Sequence, residues 1–261
     1  DDKALCTIGL CEKGYVDFEL SYTAKGGHSS RPGENFATTM IAKALIAIQE
    51  HPMPYRVTDT IRRRFGVLAP YMAKENPELA ELLKNPDENL EKLVPYLKKD
   101  PALDAMFHTT VVPTMLSGSA QANILPAKVT AVVNSRVLEG DTVESVKKHL
   151  EEIVPDEVEV RVLKGSDASP TSLYDGAMKD LLVEIGGKIY GDVIPCPEMM
   201  LGGTDARFVY DMSDRVYRFS TIYAREDHHV HAANEFTGVE ELADSIDFYM
   251  ELLTRYGETA K

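Results

Sequence analysis

Tyr15-Val-Asp-Phe-Glu-Leu-Ser-Tyr-Thr23 alternates apolar and polar side chains in period two, the pattern of a strand that buries one face. Gly26, Gly27, Ser29, Ser30, Pro32 and Gly33 punctuate the next stretch densely enough to require a loop. Asn35 then stands where a helix N-cap belongs, ahead of a 3.6-period stripe of Phe36, Met40, Ile41, Ala44, Leu45 and Ile48 that ends near His51-Pro52. Residues 58–107 are charged, proline-interrupted and rich in Leu, Ala, Glu and Lys, the composition of short helices laid on a surface, and read as a helical insertion. Two strands are expected at 109–116 and 128–138, joined by the turn-rich Ser117-Gly-Ser-Ala-Gln-Ala-Asn123. Asp141-Thr-Val-Glu144 resembles a capping box opening a helix to about residue 153, after which Val158, Val160 and Val162 alternate as a strand. The resulting order, βαββαβ, is that of a ferredoxin-like domain interrupted after its first helix.

Outward from this unit, residues 166–171 read as a linker, followed by a helix at 176–185, a Gly-rich turn, a strand at 215–221 and an amphipathic helix at 239–256. About 90 residues supply only two or three strands, too few for an independent α/β domain. Residues 1–14 and 166–261 are therefore expected to belong to a larger α/β domain whose earlier strands precede residue 1, with residues 15–165 inserted into it. The fold class is α/β with an α+β lid.

The net charge of −14 argues against nucleic-acid and anionic-membrane partners, because a phosphate-binding surface needs clustered Lys and Arg. No apolar run approaches the ~20 residues that span a bilayer, and Asp1-Asp-Lys-Ala4 opens no signal-peptide apolar core. Cys6, Cys11 and Cys196 fall in no Cys-x-x-Cys spacing, so a reducing, cytoplasmic setting is expected.

Three short stretches carry chemistry. In Gly26-Gly-His-Ser-Ser30, His28 sits on an exposed loop, free to donate a hydrogen bond to an arriving group or to do nothing. In Leu201-Gly-Gly-Thr-Asp-Ala-Arg207, Gly202 and Gly203 let backbone N–H groups approach a ligand, while Thr204 or Asp205 can equally cap a following helix. Arg207 on the first turn would point back to the same cleft. In His231-Ala-Ala-Asn-Glu235, His231 offers a zinc-ligating imidazole within a cluster that also holds His228 and His229. Asn123, before a proline-containing turn, and Arg136, at a strand end, are ordinary turn and surface residues on their own.

Taken together these motifs resemble the dinuclear-zinc aminoacylase and carboxypeptidase family, which includes glutamate carboxypeptidase G, succinyl-diaminopimelate desuccinylase, carnosinase and β-alanine synthase. The resemblance runs from Glu12-Lys-Gly-Tyr15 to the last helix, and the helical insertion is similar, more weakly, to the carboxypeptidase S branch and its N-acyl-amino-acid hydrolases. It implies a catalytic α/β domain with a ferredoxin-like lid that forms a homodimer, and two zinc ions, with cobalt or manganese as alternatives. It implies that His28 reaches the neighbouring subunit's site and stabilises an oxyanion. Asn123, Arg136, Gly202, Gly203, Thr204 and Arg207 then face a small peptide or N-acyl amino acid with a free carboxylate, and His231 is the metal ligand, chosen over His228 and His229 for its His-x-x-Asn-Glu spacing.

The rest of that family's metal set is not in the sequence: no His-x-Asp occurs, and Glu151-Glu152 and Glu240-Glu241 read as solvated helix faces. One histidine cannot build a catalytic zinc site, which takes about three protein ligands. The chain is thus expected to be inactive alone or part of a longer enzyme, the other reading being a non-catalytic dimerisation or ligand-binding module.

Overall fold

The computed structural model describes residues 3–222, 228–230 and 232–259, with backbone only at 258 and 259. The period-two run forms β2 (Gly14–Thr23), in which Val16, Phe18 and Leu20 are fully buried while Tyr15, Asp17 and Glu19 between them are partly exposed. β2 lies between β6 (Lys128–Val137) and β7 (Glu159–Ser166), and β4 (Thr110–Ser117) completes an antiparallel four-stranded sheet in the order β4-β6-β2-β7. Helices α1 (Ala37–Glu50) and α6 (Val143–Ile153) cover one face, and Phe18, Leu20, Ile41, Ala44, Val133, Val146 and Leu150 form the core between. With this strand order the lid is ferredoxin-like.

Local signals decide where its helices begin, with two shifts from the sequence reading. The α1 cap position is Phe36, in extended backbone with no side-chain cap bond, rather than Asn35. The α6 capping box is formed by Thr142 and Ser145, one residue later than Asp141 and Glu144, because Asp141 is drawn away to Arg56 and Thr109.

Helices α2 (Asp59–Met72), α3 (Pro77–Lys84), α4 (Leu90–Leu97) and α5 (Pro101–Phe107) do not simply lie on a surface. Side chains of Thr58, Asn76 and Asp100 cap three of them, and Pro77 and Pro101 start two at positions where a missing N–H is harmless. Their apolar faces converge on Ile61, Phe65, Leu83, Leu93, Leu97 and Phe107, a separate core that extends to Cys11, Leu138 and Met199.

Two strands of the remaining unit escape a pattern reading. β1 (Ala4–Glu12) is buried almost throughout rather than alternating, as a strand covered on both faces is. It pairs in parallel with β8 (Val193–Met200), whose Pro195 and Pro197 disguise it as a loop. The strand expected at 215–221 is reduced to one bridge, in which Gly9 and Arg218 exchange backbone hydrogen bonds. Helix α7 (Ala177–Tyr190) runs on through Gly186 and Gly187, where a turn was expected, with Gly186 buried facing Cys6 and Phe248. Phe248 belongs to α8 (Val239–Thr259), and with Ile8, Leu10 and Ile185 it fills the third core. Among the described residues no helix is long and apolar enough to cross a membrane.

The chain leaves this unit at Glu12 and returns after Ser166, and the return segment is bound rather than loose. The Ser169 N–H donates to the Glu12 carbonyl (3.1 Å), the Glu12 N–H to Ser169 Oγ (3.0 Å) and the Ser172 N–H to the Leu10 carbonyl (2.9 Å). The two crossings touch at Gly14, where a Cβ would stand 2.5 Å from the Ser166 carbonyl oxygen and 2.6 Å from the Asp167 carbonyl carbon. Gly14→Ala should therefore destabilise the protein by about 1–3 kcal/mol, the cost of overpacking against backbone. A urea midpoint equal to the wild type's would contradict that contact.

Candidate active site

The glycine loop follows β8 directly. Thr204 caps a short 3-10 turn, Asp205–Phe208, its Oγ1 accepting from the Ala206 N–H at 3.2 Å. The same hydroxyl donates to Glu12 Oε2 at 2.5 Å and the Thr204 N–H donates to that oxygen at 2.9 Å, so Thr204 faces inward. Glu12 is 3 % exposed, and the guanidinium of Arg218, also buried, lies beside it with Nε at 3.5 Å. Arg218 in turn donates to the carbonyls of Leu10 and Val216 and to Ser169 Oγ. Sequence reasoning gave neither Glu12 nor Arg218 a role, since charge alone does not announce burial; the one available signal was an acidic residue ending the apolar run of β1.

Arg207 projects from the 3-10 turn over the Phe208 ring, 5.0 Å from its centroid, with its Nη1 3.2 Å from where a Cβ on Gly203 would stand. A side chain at 203 would crowd that guanidinium, and nothing lies within 4 Å of the corresponding position at Gly202. Arg207 opens on a cleft of about 340 Å³ that Tyr15, Phe208 and Tyr210 also line. Arg136, paired across the sheet with Tyr15, stacks on that ring at 4.8 Å without itself lining the cleft. Neither Arg207 nor Arg136 has a carboxylate partner among the described residues. Lys13, at the base, donates from Nζ to the carbonyls of Ala105 and His108, both at 2.7 Å. Burial pulls its ammonium down to about 7.

His28 and Asn123 come together elsewhere. The short strands β3 (Gly27–His28) and β5 (Ile124–Leu125) pair antiparallel, and the Ser29 N–H donates to the Asn123 carbonyl at 3.1 Å. Both side chains are exposed. His28 Nδ1 accepts the Ser30 N–H at 3.1 Å, which puts the proton of the neutral imidazole on Nε2 and leaves Nε2–H to donate outward. This pair stands at the Lys128 end of β6 and Arg136 near the other, about 27 Å away at ~3.4 Å per residue.

His231 lies outside the described residues. Its neighbour His228 is buried with Nε2 2.8 Å from Glu241 Oε2, which also accepts the Gly238 N–H at 3.0 Å. Glu241 is therefore not on a solvated face: it is 5 % exposed, because α8 turns it inward. Glu151 and Glu152 do face solvent, beside Lys147 and Lys148 one helical turn back. Among the described residues no group of three or more His, Cys, Asp or Glu is placed to hold a metal ion.

Residues 11–161, more than half of the chain, match the family model of the M20 peptidase dimerisation domain. The chain belongs to the M20 peptidase family. It is 25 % identical to the probable carboxypeptidase S-like 2 of Dictyostelium discoideum over 96 % of this chain and 48 % of that protein. To the human N-fatty-acyl-amino acid synthase/hydrolase PM20D1 it is 27 % identical, over 96 % of this chain and 51 % of that one. The chain thus spans about half the length of the curated relatives it matches. In fold it is similar to the di-peptidase Dug1p of Saccharomyces cerevisiae, with a TM-score of 0.63 at 16 % identity, covering 99 % of this chain and 58 % of that one. It also resembles the M20 metallo-carboxypeptidase Sso-CP2 of Sulfolobus solfataricus, with a TM-score of 0.61 at 18 % identity, covering 97 % and 62 %.

In this M20 chain the loop bearing Arg207 rests on a buried ion pair, and removing one partner of such a pair strands the other charge. Arg218→Met is expected to cost about 3–5 kcal/mol. Urea denaturation checks it, and a loss under about 1 kcal/mol would show that Glu12 is compensated by other groups.

Proposed function

We propose that this chain supplies the lid and the carboxylate-binding loop of a zinc-dependent hydrolase that cleaves the amide bond of small peptides or N-acyl amino acids bearing a free carboxylate. The observation that carries this is Arg207, without a carboxylate partner among the described residues, opening on a cleft lined by Tyr15, Phe208 and Tyr210, with Arg136, likewise without one, stacked on the Tyr15 ring. A guanidinium fork suits a substrate carboxylate, and the cleft's rings suit an apolar side chain beside it. The names of the relatives, carboxypeptidase S and N-fatty-acyl-amino acid synthase/hydrolase, fit that class.

The described residues hold no group of three donors that could by itself bind zinc, or cobalt or manganese in its place; this chain's candidate ligand is His231, which lies outside them. This chain's residues would bind the carboxylate through Arg207 and Arg136, seat the acyl oxygen against the Asn123 amide, and donate from His28 Nε2 to the oxyanion of the tetrahedral intermediate. Because His28 and Asn123 stand about 27 Å from the Arg136 end of the lid, we assign them to the neighbouring subunit's cleft. A homodimer would form along β4, an edge strand with an unpaired backbone on which Met115 and Leu116 are each 66 % exposed. The three free, buried cysteines support the cytoplasm as its setting. The alternative, a non-catalytic dimerisation or ligand-binding module, draws its support from the lack of a donor cluster among the described residues.

The deciding experiment offers the full-length protein a panel of N-acyl amino acids and dipeptides with zinc. Amide hydrolysis that a chelator abolishes is expected, and His28→Ala should lower kcat by about 10²–10³-fold without changing metal content. Binding of those ligands without turnover would favour the module. For the dimer, Met115→Glu with Leu116→Glu should yield monomers by light scattering; a wild-type monomer at high concentration would remove the assignment of His28 in trans.

A further inference from the structure

Glu12 borders the cleft but is only 3 % exposed and takes no part in the proposed hydrolysis, yet it joins several of the segments that meet there. Its Oε2 receives two hydrogen bonds from Thr204, and Arg218 Nε approaches the same oxygen at 3.5 Å. Its backbone is held on one side by Ser169 of the return crossing and on the other by β8, where it pairs with Met200, while Lys13 N–H continues that ladder to the Met200 carbonyl at 2.9 Å. Thr204 is the hinge of the arrangement: with its hydroxyl proton on Glu12, an oxygen lone pair is left for the Ala206 N–H, and that bond starts the 3-10 turn from which Arg207 projects.

We propose that Glu12 is a positioning residue, whose buried carboxylate sets the Arg207 loop in register with the crossing into the lid and so holds the two arginines at a fixed separation. Glu12 ends β1, and the lid's first strand begins at Gly14, so a displacement of the crossing reaches Thr204 through one side chain. The role given to Arg207 rests on the hydrolase reading; the link between Glu12 and the loop does not.

Hydrogen exchange of the full-length protein tests the link. In Thr204→Val, which loses both hydroxyl bonds but keeps the Glu12–Arg218 pair, exchange across residues 201–208 should rise at least about tenfold, while β1, β8 and the lid strands exchange as in the wild type. Thr204→Ser, which keeps the hydroxyl, should restore slow exchange. Unchanged exchange of the loop in Thr204→Val, or equal loosening everywhere, overturns the proposal. In the active enzyme Glu12→Gln, which keeps the shape and removes the charge, should raise KM for an N-acyl amino acid about tenfold with kcat lowered less than threefold. A looser loop with unaltered KM would overturn the positioning role. A wild type that hydrolyses nothing would sink the hydrolase reading instead, leaving loop exchange to decide the link.

Discussion

A carboxylate removed from water costs several kcal/mol unless other groups take over its solvation, and Glu12 has Thr204 and Arg218 to do so. That requirement fixes more than one ion pair. Arg218 keeps its place by donating to Leu10, Val216 and Ser169, which draws the segment around residue 218 against β1 although too little ladder forms there to make a strand. Ser169 in turn draws the return crossing against the outgoing one, close enough that only glycine fits at position 14. The sheet edge, both domain crossings and the glycine loop are arranged around a single buried negative charge.

What was legible in the sequence and what was not divides along physical lines. The lid's elements announce themselves because its sheet has one wet face, which writes period two into β2, and because its helices carry clean apolar stripes. β1 and β8 lack that signature: the first is buried on both faces, and the second contains Pro195 and Pro197, tolerated since its only ladder partner in the described sheet is β1. Gly186-Gly187 reads as a break, yet the helix continues through it, because its burial against Cys6 and Phe248 outweighs the low helix propensity of two glycines. Among site residues, pattern and resemblance singled out the groups that face outward, His28, Asn123, Arg136 and Arg207. They missed Glu12, Arg218 and the burial of Glu241, because an inward-facing charge is defined by partners distant in the sequence.

The chemistry-bearing residues occupy two stations separated by the length of the lid sheet. At one, Arg207 opens on an aromatic-lined cleft and Arg136 stacks on the Tyr15 ring of its wall, neither paired with a carboxylate among the described residues; at the other, an imidazole with its tautomer set by Ser30 faces open solvent. A rigid antiparallel sheet holds that separation constant, since the β2 and β6 ladder runs unbroken from Gly14 to Thr23. Each station is finished in its local geometry and incomplete in its chemistry.

The helices α2–α5 interrupt the lid between α1 and β4, yet their core is shared with Cys11, Leu138 and Met199 rather than with the lid's helices. Chain statistics make such an interruption mild. Bringing Ser21 against Glu159 closes a span of 138 residues, and deleting about 50 of them would reduce the closure entropy by only about 0.4 kcal/mol, because that entropy grows with the logarithm of length. The lid sheet is therefore nearly indifferent to how much chain is inserted at this point. What constrains the inserted helices is the surface of β1 and β8 on which they settle, so their size and sequence can vary while the lid's strand pairing stays as it is.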